Sequence, residues 1–222
     1  MKIGIIGIGS MGRTLGLRWA QSGHHVLFGS RDRSKADAAA AEAGGRAEAG
    51  DFDAAAAFGE VVLYTVRDVL PSRLLRGAQP LAGKVVIDCT NSGILGVEVP
   101  DPENRSGAHF STPIPARAER LAADVAEAHV VKAFNTLPAQ VIALPRAALA
   151  PHGVSVLLCG DDAAAKAVVK SLAEDIGFVG VDCGGLERAQ LVEGTADLVR
   201  LLIIEMGLGP FATLSVKVLP EG

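Results

Sequence analysis

Short runs of aliphatic residues alternate along the chain with stretches in which apolar positions recur every three or four residues, the succession that builds βαβ units. Residues 2–8 (KIGIIGI) form a run rich in β-branched residues that closes on glycine. Residues 10–22 carry Met11, Leu15 and Trp19 at helical spacing, so the chain opens strand, turn, helix. A second strand is predicted over 25–29, an alanine-dense helix over 34–43, a short strand over 46–49 and a short helix over 52–58. The runs 61–65 and 84–88 are nearly all apolar, as strands of a parallel sheet covered on both faces must be. Residues 91–115, rich in Gly, Pro, Ser and Asn, read as irregular, and a helix over 116–128 leads to a strand over 129–133. Past Pro138, Pro145 and Pro151 come a strand over 154–159, a helix over 163–176 and a strand over 178–182. A long helix over 187–206, a Gly-Leu-Gly-Pro turn and a terminal strand over 211–218 complete the chain.

This alternation predicts an α/β fold, a Rossmann doubly wound parallel sheet with a smaller C-terminal α/β portion. No linker rich in Gly, Ser or Pro forces a boundary. A second unit, if separate, begins near 150, which divides the chain into a dinucleotide-binding Rossmann domain over 1–150 and a smaller portion over 151–222. Half of the residues are apolar (49%), enough to bury a sizeable core and too many for a disordered chain. The net charge of −4 gives no footprint for nucleic acid or an anionic membrane, so a small-molecule partner is expected. No run is long and apolar enough to cross a bilayer and no secretory signal is evident, which predicts a cytoplasmic protein. Cys89, Cys159 and Cys183 are odd in number and widely spaced, and the five histidines are scattered, so no disulfide framework and no metal site is expected.

The candidate chemistry starts at Gly7-Ile8-Gly9-Ser10-Met11-Gly12, a G-x-G-x-x-G turn between a predicted strand and a predicted helix, the context in which this motif binds a dinucleotide. Gly7 permits the tight turn, Gly9 leaves room for the pyrophosphate, Gly12 lets helix and strand pack closely, and the free amides of the helix start face the negative charge. The end of the second strand chooses the cofactor. NAD enzymes place an acid there to read the ribose hydroxyls, whereas this chain has Gly29-Ser30-Arg31-Asp32-Arg33 and then Lys35. Ser30 can donate to a 2′-phosphate, Arg31 can grip it with two guanidinium hydrogens and Arg33 or Lys35 adds charge, so NADP(H) is expected in preference to NAD(H). Asp32 is placed to cap the second helix.

These segments, together with VVKAFNTLPA (130–139) and CGDDAAAKAVVKSLAEDIGF (159–178), resemble the NADP oxidoreductases of the coenzyme F-420 (F420)-dependent type. The coenzyme is an 8-hydroxy-5-deazaflavin. The chain is also similar, in the same segments, to the cytosolic domain of the six-transmembrane metalloreductases. The resemblance implies hydride transfer at the nicotinamide C4, a C-terminal portion that closes the site, and a homodimer. It implies that Thr65 and Val66 run beside the adenosine and pyrophosphate, that Asn91 lies by the nicotinamide ribose, and that 133–137, from Ala133, line the redox face. Asn135 and Thr136 would then be the acceptor-side residues. The match departs at Asn135, where archaeal members of the type have histidine, and over 92–115.

Three readings of function stay open: hydride exchange with a deazaflavin or flavin-like acceptor, reduction of a small imine, enamine or carbonyl compound, and a non-catalytic NADPH-binding redox module. Exchange between two conjugated rings needs orientation and a dry cleft more than a dedicated acid or base. Lys132 could serve a carbonyl or imine reductase as proton donor, or be an anchoring charge, the favoured reading. The pair Asp161-Asp162 reads as a helix start, since carboxylates cap free amides there. The helix over 187–206 presents more apolar surface than one small sheet needs, with Leu191, Ala196, Leu198, Leu201, Leu202 and Ile203, which predicts a homodimer built largely from the C-terminal third.

Overall fold

The computed structural model describes residues 1–76, 79–91 and 115–219. Strands β1 (Lys2–Ile6), β2 (His25–Gly29), β3 (Ala47–Gly50), β4 (Val61–Tyr64), β5 (Val85–Asp88), β6 (His129–Lys132), β7 (Ser155–Gly160) and β8 (Val179–Asp182) stand in the order β3-β2-β1-β4-β5-β6-β7-β8. The reversal of direction at β1/β4 is the switch point of a doubly wound sheet, where a crevice opens outside the carboxyl ends of the strands. β1 to β6 pair in parallel, Ile5 opposite Phe28 on one side and Leu63 on the other. The parallel sheet expected throughout is broken once. β7 pairs with β6 antiparallel, through Val131 with Gly160 and Lys132 with Cys159, and β8 then runs parallel to β7. Between β6 and β7 lie only the one-turn helices α6 (Ala139–Ile142) and α7 (Arg146–Leu149), and the chain returns without a crossover helix of the length that parallel pairing uses.

Helix α1 (Ser10–Gln21) forms where Leu15 and Trp19 can both be buried on one face. Trp19 donates its indole N–H to Leu172 O at 3.0 Å, and Arg18 and Ser22 donate to Ile176 O and Asp175 O. These three bonds tie α1 to α8 (Ala163–Asp175), across more than 150 residues of sequence. Asp32 caps α2 (Arg33–Ala43) as expected, accepting from the amides of Ser34 and Lys35. Of the Asp161-Asp162 pair, Asp162 caps α8 through Ala165 N, while Asp161 accepts from Leu186 N. Helix α3 (Phe52–Phe58) covers β1 and β2; α4 (Pro71–Leu74), which follows β4, and α5 (Arg117–Asp124), before β6, are short. The helix predicted over 116–128 thus stops at 124, and the long helix begins with a 3-10 turn, Leu186–Arg188, before α9 (Ala189–Ile204).

The terminal strand expected over 211–218 is absent. That segment makes two hydrogen bonds to Ser155, from Ser155 N to Leu214 O and from Val216 N to Ser155 Oγ. β6 pairs only with Cys159 and Gly160 of β7, so the Ser155 end of β7 is open on that side, and the segment meets it there through these two bonds without forming a ladder. The irregular segment expected over 91–115 lies, apart from its two end residues, outside the described residues. Among the described residues no helix is long and apolar enough to cross a membrane, and no group of His, Cys, Asp and Glu could hold a metal ion.

Candidate active site

The carboxyl ends of β1, β4, β5 and β6 open on a cleft of about 380 Å³, closed on the far side by α9. The glycine turn forms its floor. Gly7 has φ +95°, a left-handed conformation, and a side chain there would also strike Thr65 Oγ1 at 2.5 Å. A Cβ on Gly12 would lie 2.0 Å from Gly7 O, so the helix packs directly on the turn. A Cβ on Gly9 would meet nothing within 4 Å, and the space beside it is open to the cleft. Thr65 holds the turn in place, its hydroxyl donating to Gly7 O at 2.7 Å and Ile6 O at 3.2 Å. No side chain caps α1, which leaves its first-turn amides for an anion. Each glycine thus meets the requirement set by a pyrophosphate on this turn.

Ser30, Arg31 and Lys35 lie away from this cleft, at the end of β2 and the start of α2. Ser30 Oγ accepts from Asp32 N at 3.1 Å, and the Lys35 ammonium is 3.8 Å from Asp32 Oδ2. Arg31 is exposed and has no hydrogen bond or ion pair among the described residues, so its guanidinium is available to a phosphate. No carboxylate stands at the strand end to read a ribose, and Asp32 is occupied as the cap.

On the opposite side, the segment after β6 turns sharply. Phe134 adopts φ 63°, the one non-glycine residue with positive φ among those described, and its ring is fully buried edge-on against Trp19, 5.7 Å between centroids. A left-handed Phe costs on the order of 1–3 kcal/mol, a strain that persists where packing over-determines the backbone. The turn carries Asn135 and Thr136 to the cleft wall. Asn135 Nδ2 donates to Asn91 Oδ1 at 2.9 Å and Val192 O at 3.1 Å, and Asn91 Nδ2 donates back to Asn135 O at 3.0 Å. Asn135 Oδ1 is buried with no partner among the described residues, an open acceptor that calls for an explanation.

The cleft therefore unites Gly9, Ser10, Met11, Thr65, Asn91, Asn135 and Thr136. Ala133 is fully buried in the core behind it and does not line it; Ile8 and Val66 are half-buried beside the turn without reaching the wall. The sequence reading missed Arg67, which follows β4, and Asp197 and Arg200 on α9. No motif marks them, because the fold alone brings α9 over the strand ends. Cys89 also faces the cleft; burial pushes its thiol up to about 12, so it stays protonated.

Lys132 does not reach the cleft. It is fully buried and donates to Asp88 Oδ2 at 2.8 Å, to Glu193 Oε1 at 2.7 Å and to Thr90 O. An ammonium has three hydrogens and all three are engaged. Asp88 Oδ1 accepts from the amide and hydroxyl of Thr90, and Glu193 Oε1 also accepts from Arg117 N at 2.9 Å. Lys132 is the anchor that joins β5, β6 and α9.

A phosphate-ready glycine turn at the switch point of such a sheet, facing a polar wall built after β6, defines a dinucleotide-dependent oxidoreductase of the Rossmann type. The family model for NADP oxidoreductase, coenzyme F420-dependent, matches residues 2–92. The F420-dependent NADP reductase of Methanothermobacter thermautotrophicus is 33% identical over 214 residues, which cover 90% of this chain and 88% of that protein. The chain belongs to this family of NADP-dependent oxidoreductases, and its cofactor is NADP(H). Metalloreductase STEAP3 of Rattus norvegicus is also 33% identical, over 193 residues, but the chain spans only 36% of that protein's length. Among solved structures, a protein of Arthrobacter sp. FB24 assigned as an F420-dependent NADP-reductase superposes with a TM-score of 0.77 at 25% identity, covering 98% of this chain and all of that one.

Proposed function

We propose that the protein exchanges hydride between NADP(H), bound along the glycine turn, and a deazaflavin or flavin-like ring, coenzyme F420 being the acceptor its relatives' name indicates. The observation that carries this reading is the single cleft shared by the glycine turn and by Asn135 and Thr136. When bound, the nicotinamide supplies the hydride; everything else asked of the chain is binding and orientation. The amides of Ser10, Met11 and Gly12 hold the pyrophosphate, and Ser30, Arg31 and Lys35 hold the 2′-phosphate. Thr65 fixes the turn, and Asn91 lies beside the nicotinamide ribose. Asn135 Oδ1, without a partner among the described residues, accepts from an N–H at the rim of the acceptor, and Thr136 supplies a second polar contact. Asn91 holds Asn135 in place by the reciprocal amide pair.

The functional unit we propose is a homodimer. Leu191, Leu198, Leu201 and Ile204 expose an apolar stripe on α9, continued by Met206, Leu208 and Phe211, more than a solvated helix presents singly. Ala196 belongs instead to the face buried within its own subunit.

The test is NADPH consumption, followed at the nicotinamide absorbance, with F420, flavin, quinone and imine acceptors. Turnover with deazaflavin supports the reading. Turnover of an imine or carbonyl alone moves the assignment to a small-molecule reductase, for which Lys132 is already engaged and Asp197, a carboxylate on the cleft wall, becomes the first proton donor to test.

A further inference from the structure

We infer that Arg200 is a specificity-determining residue of the acceptor side, recognising an anionic substituent, phosphate or carboxylate, carried by the acceptor ring. The inference rests on the proposed docking of a ring beside Asn135 and Thr136, and it adds a charge requirement to that site. Three arginines are half-buried among the described residues: Arg18, Arg117 and Arg200. Arg18 donates to Ile176 O and Gln21, and Arg117 pairs with Asp68 and with the carbonyl of Arg67. Arg200 has neither an ion pair nor a hydrogen bond among the described residues, although it lines the cleft. No ion pair joins it to Asp197 on the same helix. None of the Arg200 guanidinium nitrogens is both buried and unpartnered, so the head stays open to solvent and can exchange water for an anion.

The neighbours narrow what that anion is. Ala196, Val199 and Ile203 line the cleft beside Arg200 on α9, an apolar surface along which an arginine stem can lie with its head in the cleft. The phosphates of the cofactor have other receptors, the uncapped start of α1 for the pyrophosphate and the Ser30, Arg31 and Lys35 corner for the 2′-phosphate. α9 stands across the cleft from α1, beside the Asn135 and Thr136 wall, and Val192 O, one of its own carbonyls, is bonded to Asn135 Nδ2. An anionic group meeting Arg200 therefore belongs to the second substrate. A planar guanidinium binds phosphate or carboxylate through two parallel hydrogen bonds, which confers specificity as well as affinity.

The experiment compares coenzyme F420 with its deazaflavin riboside core lacking the phosphate and the acidic tail, and flavin mononucleotide with riboflavin. Binding to the full-length protein is followed by ring fluorescence and turnover by NADPH oxidation. The native protein should prefer the phosphorylated member of each pair by about tenfold or more in Kd and KM, the range of a charged hydrogen bond. Arg200→Gln should erase that preference while leaving the Kd of NADPH unchanged, and Arg200→Lys should restore part of it. An equal preference in native and Arg200→Gln protein overturns the assignment, as does a loss of NADPH affinity in Arg200→Gln, which would give the residue to the cofactor. If neither member of either pair binds at all, the ring acceptor itself is wrong and the inference falls with it.

Discussion

Replacing Lys132 with Met keeps the length of the side chain and removes three hydrogen-bond donors from a site with no exposed surface. Asp88 and Glu193, 1% and 6% exposed, then face each other without the cation between them. Removing one member of a buried ion pair costs about 3–5 kcal/mol. In a chain of this length each kcal/mol lowers Tm by roughly 2–4 °C, so Lys132→Met should melt about 6–20 °C lower. Differential scanning calorimetry reads the loss, and the double variant Lys132→Met with Glu193→Gln should recover part of it. Folded Lys132→Met protein should still transfer hydride, because Nζ does not reach the cleft. A Tm within a few degrees of the native protein, or a stable variant without activity, would refute the role of anchor.

Arg31→Glu should weaken NADPH binding by about tenfold or more while leaving NADH nearly unaffected; titration of both cofactors checks it, and unchanged discrimination would misplace the 2′-phosphate. Asn135→Ala should slow acceptor reduction and leave NADPH affinity nearly intact, since the residue is assigned to the acceptor; equilibrium binding measured beside single-turnover kinetics separates the two. Leu198→Asp, with the charge set in the exposed apolar stripe of α9, should shift the protein from dimer to monomer in light scattering, and a native protein that is monomeric at micromolar concentration removes the dimer.

The opening βαβ unit was legible because its signals are local. Strand, glycine turn and helix follow one another within 2–21, and the cap at Asp32 acts on amides two and three residues away. The one-turn helices α4, α6 and α7 were not legible, since four residues hold no helical period, although prolines at Pro71, Pro138 and Pro145 mark their starts. The strand read over 211–218 did not form, because apolar alternation marks a segment able to pair but not whether it builds a ladder, and this one makes only two bonds to Ser155. The same limit hid Arg67, Asp197 and Arg200. The apolar spacing of α9 reveals a helix with a buried face, while the pin that swings its second half over the cleft is the long-range bond between Glu193 and Lys132.

Trp19 is the only tryptophan of the chain. Fully buried among apolar side chains, with its indole N–H bonded to Leu172 O and its ring edge-on to Phe134, it sits on the helix that starts at the phosphate turn and touches the residue that precedes Asn135. The molecule thus carries its own optical reporter. Its emission belongs at the blue end of the tryptophan range, reddens when α1 parts from α8, and overlaps the absorption of reduced nicotinamide, so that binding of NADPH quenches it without any label.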